Sequence, residues 1–199
     1  MKNKTKTILI FCLTVFLLQI APAIMRAQEN ELKISAEARE FIGKNDRAIA
    51  LEAADLNGDG TTDFILVTEK NTADTMGEDR DNERTLMILT RDREGKLKLV
   101  KSNKQAVYCK SCGGVFGDPF ASLEVKPNSF TVNNYGGSAW RWGESYQFNY
   151  SRTDKTWQLV RAESESYHTS DPNKVKTKIR TPKSFGKIDI ADFDPEKIR

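Results

Sequence analysis

Beyond about residue 45 the chain alternates short apolar runs with clusters of turn-forming residues, a pattern that predicts strands joined by hairpins. The runs place strands near 47–54, 63–69, 84–91, 95–101, 121–126, 129–135, 139–150 and 156–162. Between them stand Asn57-Gly58-Asp59-Gly60, Asp92-Arg93-Glu94-Gly95, Pro127-Asn128-Ser129 and Thr153-Asp154-Lys155, the residue types that tight turns require. Residues 70–83 are almost wholly polar and read as a solvated loop. Ahead of the strands, Leu32, Ile34, Ala36, Ala38, Phe41 and Ile42 fit a short amphipathic helix within 31–44, ending near Gly43. The expected fold is therefore mostly β: antiparallel sheets, as a sandwich or a partial propeller-like arrangement, with a short N-terminal helix. A full propeller built from one chain is disfavoured, because the sequence carries no clear internal repeat.

The clearest period-two signal is the run 139–150. Trp140, Trp142, Tyr146, Phe148 and Tyr150 share one parity, and Arg141, Ser145, Gln147 and Asn149 share the other. Rings of this size bury ~150–250 Å² each, so the aromatic face is expected to form core, with Trp157 joining from the next strand. Trp140 and Trp142 also define an alternative, an aromatic face that stacks on a glycan or a partner protein. Glu144, on the aromatic parity, fits the core reading badly.

The chain begins with Lys2, Lys4 and Lys6, an apolar run from Ile8 to Ile20, and a small-residue exit at Ala21-Pro22-Ala23 and Ala27. That is the layout of a secretory signal peptide over 1–27, with cleavage after Ala23 or, preferably, Ala27. Its consequence is a β domain over 28–163 and a C-terminal tail over 164–199 packed on it, exported to the periplasm or the extracellular space. No later stretch is long and apolar enough to span a membrane. Export also changes the reading of charge. The whole chain has 31 basic and 28 acidic residues, but the four basic residues of 1–27 have no acid beside them, so 27 basic groups face 28 acids afterwards. A nucleic-acid partner, which needs a basic stripe, is not expected.

Within Asp55-Leu56-Asn57-Gly58-Asp59-Gly60-Thr61-Thr62-Asp63, oxygen side chains occupy positions 1, 3, 5 and 9, with glycine at position 6. Calcium takes six to eight hard oxygen ligands, so this spacing predicts a calcium loop built from Asp55, Asn57, Asp59, the backbone carbonyl of Thr61, and Asp63. Position 12 is Leu66 where a helix-loop-helix site would carry glutamate, and the flanks read as strands, so the site is a strand-loop-strand hairpin. The competing reading is a turn rich in Asp and Asn that needs no metal.

The segment Ala53 to Phe64 resembles the calcium loop of the VCBS and FG-GAP repeat families, whose repeats form propeller blades in adhesion proteins; about 20 residues and one copy are covered. The remainder is similar to a group of uncharacterised exported bacterial proteins with a single such loop. The resemblance runs through Cys109-Lys110-Ser111-Cys112-Gly113-Gly114, Gly136-Gly137-Ser138-Ala139-Trp140-Arg141-Trp142 and Thr181-Pro182-Lys183-Ser184-Phe185-Gly186. It implies no catalytic residues.

Cys109 and Cys112 admit three readings. A redox pair needs a helix N-terminus, and a zinc site needs two further ligands where only His168 remains, so a local disulfide is favoured in an oxidising compartment. Asp118, Asp192 and Asp194 read more simply as loop and tail residues than as paired hydrolytic carboxylates. The functional expectation is a non-enzymatic, calcium-binding module that contacts protein or glycan. The alternative is an exported enzyme, either a thiol oxidoreductase through Cys109 and Cys112 or a hydrolase using His168.

Overall fold

The computed structural model describes residues 32–71 and 83–198; the expected signal peptide and most of the expected polar loop lie outside them. A four-residue helix α1 (Ala36–Arg39) precedes β1 (Asp46–Ala54), β2 (Asp63–Lys70), β3 (Arg84–Arg91) and β4 (Leu97–Asn103). There follow β5 (Phe120–Lys126), β6 (Ser129–Gly137), β7 (Trp140–Ser151), β8 (Thr156–His168), β9 (Lys176–Arg180) and a short helix α2 (Pro182–Phe185). The strands form two sheets, ordered β1-β2-β3-β4 and β5-β6-β7-β8-β9, in which every neighbouring pair is antiparallel. The protein is thus mostly β, and of the two expected arrangements it takes the sandwich.

The first sheet is covered on both faces, which explains the unbroken apolar runs Phe64–Val67 and Leu86–Leu89. Ile65, Val67, Leu86 and Ile88 face the second sheet and meet Phe130, Val132, Phe148 and Leu159 in the main core. Leu66, Met87, Leu89 and Leu97 face the other way and form a smaller cluster beneath Phe41, Ile42 and Leu51. Each such side chain contributes roughly 1.5–3 kcal/mol on full burial. This outer cluster also explains why α1 is shorter than the 31–44 helix expected. Ser35 caps it by accepting the Ala38 N–H at 3.3 Å, but after Arg39 the chain leaves the helix and lays Phe41 and Ile42 on the sheet.

The second sheet departs further from expectation. β8 continues past Ala162 to His168, and β9 pairs with it from Ala162–Arg180 to Ser166–Lys176. Residues after 163 therefore complete the sheet before they become a tail. The alternation Glu163-Ser164-Glu165-Ser166 has no apolar face, so periodicity gave no sign of a strand there. Farther on, Ile190 and Phe193 are fully buried, and the Phe193 ring packs edge-on to Tyr146 and Phe148 at 4.9 and 5.1 Å. Asn103, itself buried, locks this segment by donating to the carbonyls of Ile190 (2.7 Å) and Phe193 (2.8 Å).

Candidate functional site

The β1–β2 loop is held by its own backbone. Asp55 Oδ1 accepts the N–H groups of Gly58 (2.7 Å) and Asp59 (3.2 Å), and its Oδ2 accepts that of Gly60 (3.0 Å). Asn57 Oδ1 accepts the Asp59 N–H at 2.9 Å. Asp59 Oδ1 accepts the backbone N–H of Thr61 at 2.8 Å and its hydroxyl at 2.5 Å, which keeps the Asp59 carboxyl below its ordinary pKa. Gly58 and Gly60 sit at φ of 76° and 87°, where a side chain would be strained. A Cβ on Gly58 would also lie 2.6 Å from Asn128 Oδ1, so the loop runs hard against the second sheet.

Two further contacts join that loop to the second sheet. The Asp55 carbonyl accepts the Asn128 N–H at 2.9 Å, and the Leu56 carbonyl accepts the Trp157 indole N–H at 2.8 Å. Leu56 itself is fully buried in the main core.

Asp63 differs from the other acids of the loop. It is fully buried and accepts the N–H groups of Leu56 (3.1 Å) and Arg91 (3.2 Å). Burial, aided by the negative charges of Asp59 and Asp55, pushes its carboxyl up to about 6 against those two hydrogen bonds. Among the described residues no three Asp, Glu, His or Cys side chains converge closely enough to hold a metal ion. The loop nonetheless gathers oxygen donors of the kind a hard cation takes: Asp55 Oδ2 and both Asp63 oxygens accept one N–H each and keep a second lone pair, and Asp63 is buried close to the charges of Asp55 and Asp59.

The Cys109–Cys112 pair is bonded, with Cα atoms 5.2 Å apart, in a turn where the Cys112 N–H donates to the Cys109 carbonyl. The loop that follows returns to the second sheet through the Gly137 N–H, which donates to the Gly113 carbonyl at 2.8 Å. It is tied to the first sheet by charge. Arg84, with a side chain 1% exposed, donates to Glu69 at 2.7 Å, to Asp118 at 2.7 Å and to the Tyr108 carbonyl at 3.0 Å. Arg47 adds a second guanidinium to Glu69. Burial works against the Asp118 carboxylate, but Arg84 outweighs it and lowers its pKa. Sequence reasoning missed this cluster, although a signal existed: Glu69 and Arg84 share the inward parity of Val67 and Leu86 and are direct cross-strand partners.

The aromatic run 140–150 divides in two. Tyr146 and Phe148 are core, whereas Trp140 is 56% exposed, with its ring edge-on to His168 at 5.1 Å. The core expectation is thus corrected for Trp140: the residues that cover this face, among them Phe193, reach Tyr146 and Phe148 and not the far end of β7. Trp142 is half-buried; it packs on Gly136, where a Cβ would come within 2.6 Å of its ring, and lies edge-on to Tyr108 at 6.0 Å. Glu144 has found polar company at the core parity, accepting hydroxyl hydrogens from Tyr108 and, at 2.8 Å, Tyr146. Burial and these neighbours push the Tyr146 hydroxyl pKa up, so it remains a donor. His168 Nδ1 lies 2.7 Å from the Ser170 hydroxyl.

The sequence matches no protein-family model and no curated protein. Among solved structures, the chain is similar to a Xanthomonas type IV secretion system related protein, at 17% identity and a TM-score of 0.37, over 70% of this chain and 57% of that one. The chain thus spans a little over half of that protein's length. No helix among the described residues is long and apolar enough to cross a membrane.

Proposed function

We propose that this chain is an exported, calcium-binding β module of the cell envelope or extracellular space, which acts by binding protein or glycan and not by catalysis. The observation that carries the reading is the β1–β2 loop. It brings Asp55, Asn57, Asp59 and the buried Asp63 into one nine-residue turn that also plugs Leu56 into the core. Asp55, Asn57, Asp59, the Thr61 carbonyl and Asp63 are the groups that would hold calcium. The ion would supply the positive charge that offsets a carboxylate removed from water. Its task there is structural, because the same loop is hydrogen-bonded to β8 through Trp157 and to the β5–β6 turn through Asn128.

Export is supported by the leader pattern and by a disulfide, which persists in oxidising compartments. A binding role is supported by the exposed Trp140 at the end of the sheet. The Cys109–Cys112 turn opens no helix, which a low-pKa redox cysteine needs, and among the described residues no carboxylate is hydrogen-bonded to His168; both observations favour the binding reading over the enzymatic alternatives.

Melting the purified protein in EDTA and in millimolar calcium tests the reading. Calcium at ten times its dissociation constant adds about 1.4 kcal/mol, which raises the midpoint by roughly 3–6 °C in a domain of this size. Asp59→Ala should abolish the shift. Identical melting curves, together with a flat calorimetric titration, would leave the loop as a turn.

A further inference from the structure

Between the disulfide and β5 the chain makes a tight turn, Gly114-Val115-Phe116-Gly117, closed by the Gly117 N–H donating to the Gly114 carbonyl at 3.0 Å. Polar residues are the usual occupants of such a tip, because it is the part of a loop most open to water. Here Val115 is 82% exposed and Phe116 51%. The turn holds them outward because its base is fastened. The Cys109–Cys112 bond closes the chain just before it, the Gly113 N–H donates to the Gly117 carbonyl at 2.8 Å, and Gly114 bridges Gly137 of the second sheet. An apolar tip fixed in this way loses little freedom on binding.

Behind the tip the chemistry changes. The Phe116 ring lies edge-on to Tyr135 at 5.8 Å and covers the Arg141 guanidinium at 3.8 Å, and the Tyr135 and Tyr167 hydroxyls are 3.0 Å apart. Trp140, next to Arg141 on β7, is exposed at the same end of the sheet. Arg141 Nη1 is buried with no hydrogen-bond partner among the described residues. Asp118, the acid that follows the turn, is taken by Arg84, and Glu165, two residues before Tyr167 on β8, accepts from the Thr177 hydroxyl at 3.4 Å. Arg141 is therefore a cation with an unsatisfied donor, set under an apolar tip and beside rings with polar ends. A phospholipid surface has the matching order: an acyl boundary for the tip, an interface that takes Tyr and Trp, and phosphates for the cation. A sugar ring is matched less well, since the ring pairs here stand at 71° and 73° and share no plane. A second copy meeting tip to tip would set Arg141 against Arg141 and bring no acceptor.

We propose that this turn docks the protein on a phospholipid surface, with Val115 and Phe116 entering the acyl boundary and Arg141 meeting lipid phosphate. The proposal goes beyond the binding-module reading and adds a membrane surface to its contacts. The protein recovered after export, without its leader, is sedimented with phosphatidylcholine vesicles in EDTA, so that calcium bridging to lipid plays no part. Half of it should sediment at roughly 1–10 mM lipid, weaker than the ~10⁴ M⁻¹ of a single myristoyl chain. Adding phosphatidylglycerol should tighten binding by a margin that salt removes. The double variant Val115→Ser/Phe116→Ser should bind about tenfold or more weakly, with its melting curve unchanged because both side chains are exposed. Arg141→Gln should lose about fivefold on vesicles containing phosphatidylglycerol. No sedimentation at ~10 mM lipid, an unimpaired double variant, or a phosphatidylglycerol preference undiminished in Arg141→Gln overturns the proposal. Self-association in the absence of lipid that the double variant abolishes would assign the tip to a second copy and overturn it as well.

Discussion

Two connections in this sandwich hold the sheets to each other, and they are secured by opposite means. The β1–β2 loop is short, closes on itself through side chain to backbone hydrogen bonds, and reaches across with one buried leucine and two carbonyls. The β4–β5 connection is long, contains the disulfide, and is fastened by a buried guanidinium between two carboxylates. The first buries an acid, Asp63, with no cationic side chain bonded to it among the described residues; the second buries acids together with Arg84. An unpaired buried charge is the costlier arrangement, so an added cation would stabilise the first connection, whereas the second is already neutralised.

The largest break should come at the second connection. Arg84→Met leaves Glu69 buried with only the half-exposed Arg47 and frees Asp118, and should cost about 3–5 kcal/mol in urea denaturation. A loss below about 1 kcal/mol would mean that charge does not fasten this end. At the first connection, Leu56→Ala should cost about 3 kcal/mol, since the side chain is fully buried. Equal stability of that variant and the parent would mean the loop is not anchored through the core.

A sharper contrast comes from pH. The folded pKa of Asp63, about 6, lies above its ordinary 3.8, so between these values the folded state holds the proton that the unfolded state has released. Raising pH from 4 to 6 in EDTA should therefore lower stability by about 2 kcal/mol. Asp63→Asn should flatten that slope, and calcium should oppose it in the parent; a parent profile in EDTA that rises over the same window would show that Asp63 folds ionised. The smallest effect belongs to the disulfide. The bond closes so short a loop that its reduction should cost about 2 kcal/mol or less, measured by denaturation with and without a thiol reductant.

Much of the first sheet was legible in the chain, because apolar runs between turn residues have few other solutions; the expected 63–69 and 84–91 differ little from β2 and β3. The composition of the acidic loop was legible for the same reason, as its glycines are demanded by positive φ. What escaped was structure set by partners. The Ser and Glu alternation of β8 becomes a strand only because β7 and β9 flank it, and Trp140 is exposed because nothing described covers its end of the sheet. Parity alone could not distinguish Trp140 from Phe148, eight residues along the same face. The edge strand shares this origin: Lys176, Lys178 and Arg180 read as tail until β9 sets them beside Ser166, Ser164 and Ala162.

Ile190 and Phe193, locked by Asn103, fill space between the two sheets. Withdrawing this one segment would uncover Tyr146 and Phe148 while every strand kept its neighbours, so the sandwich would loosen at its centre without losing a strand.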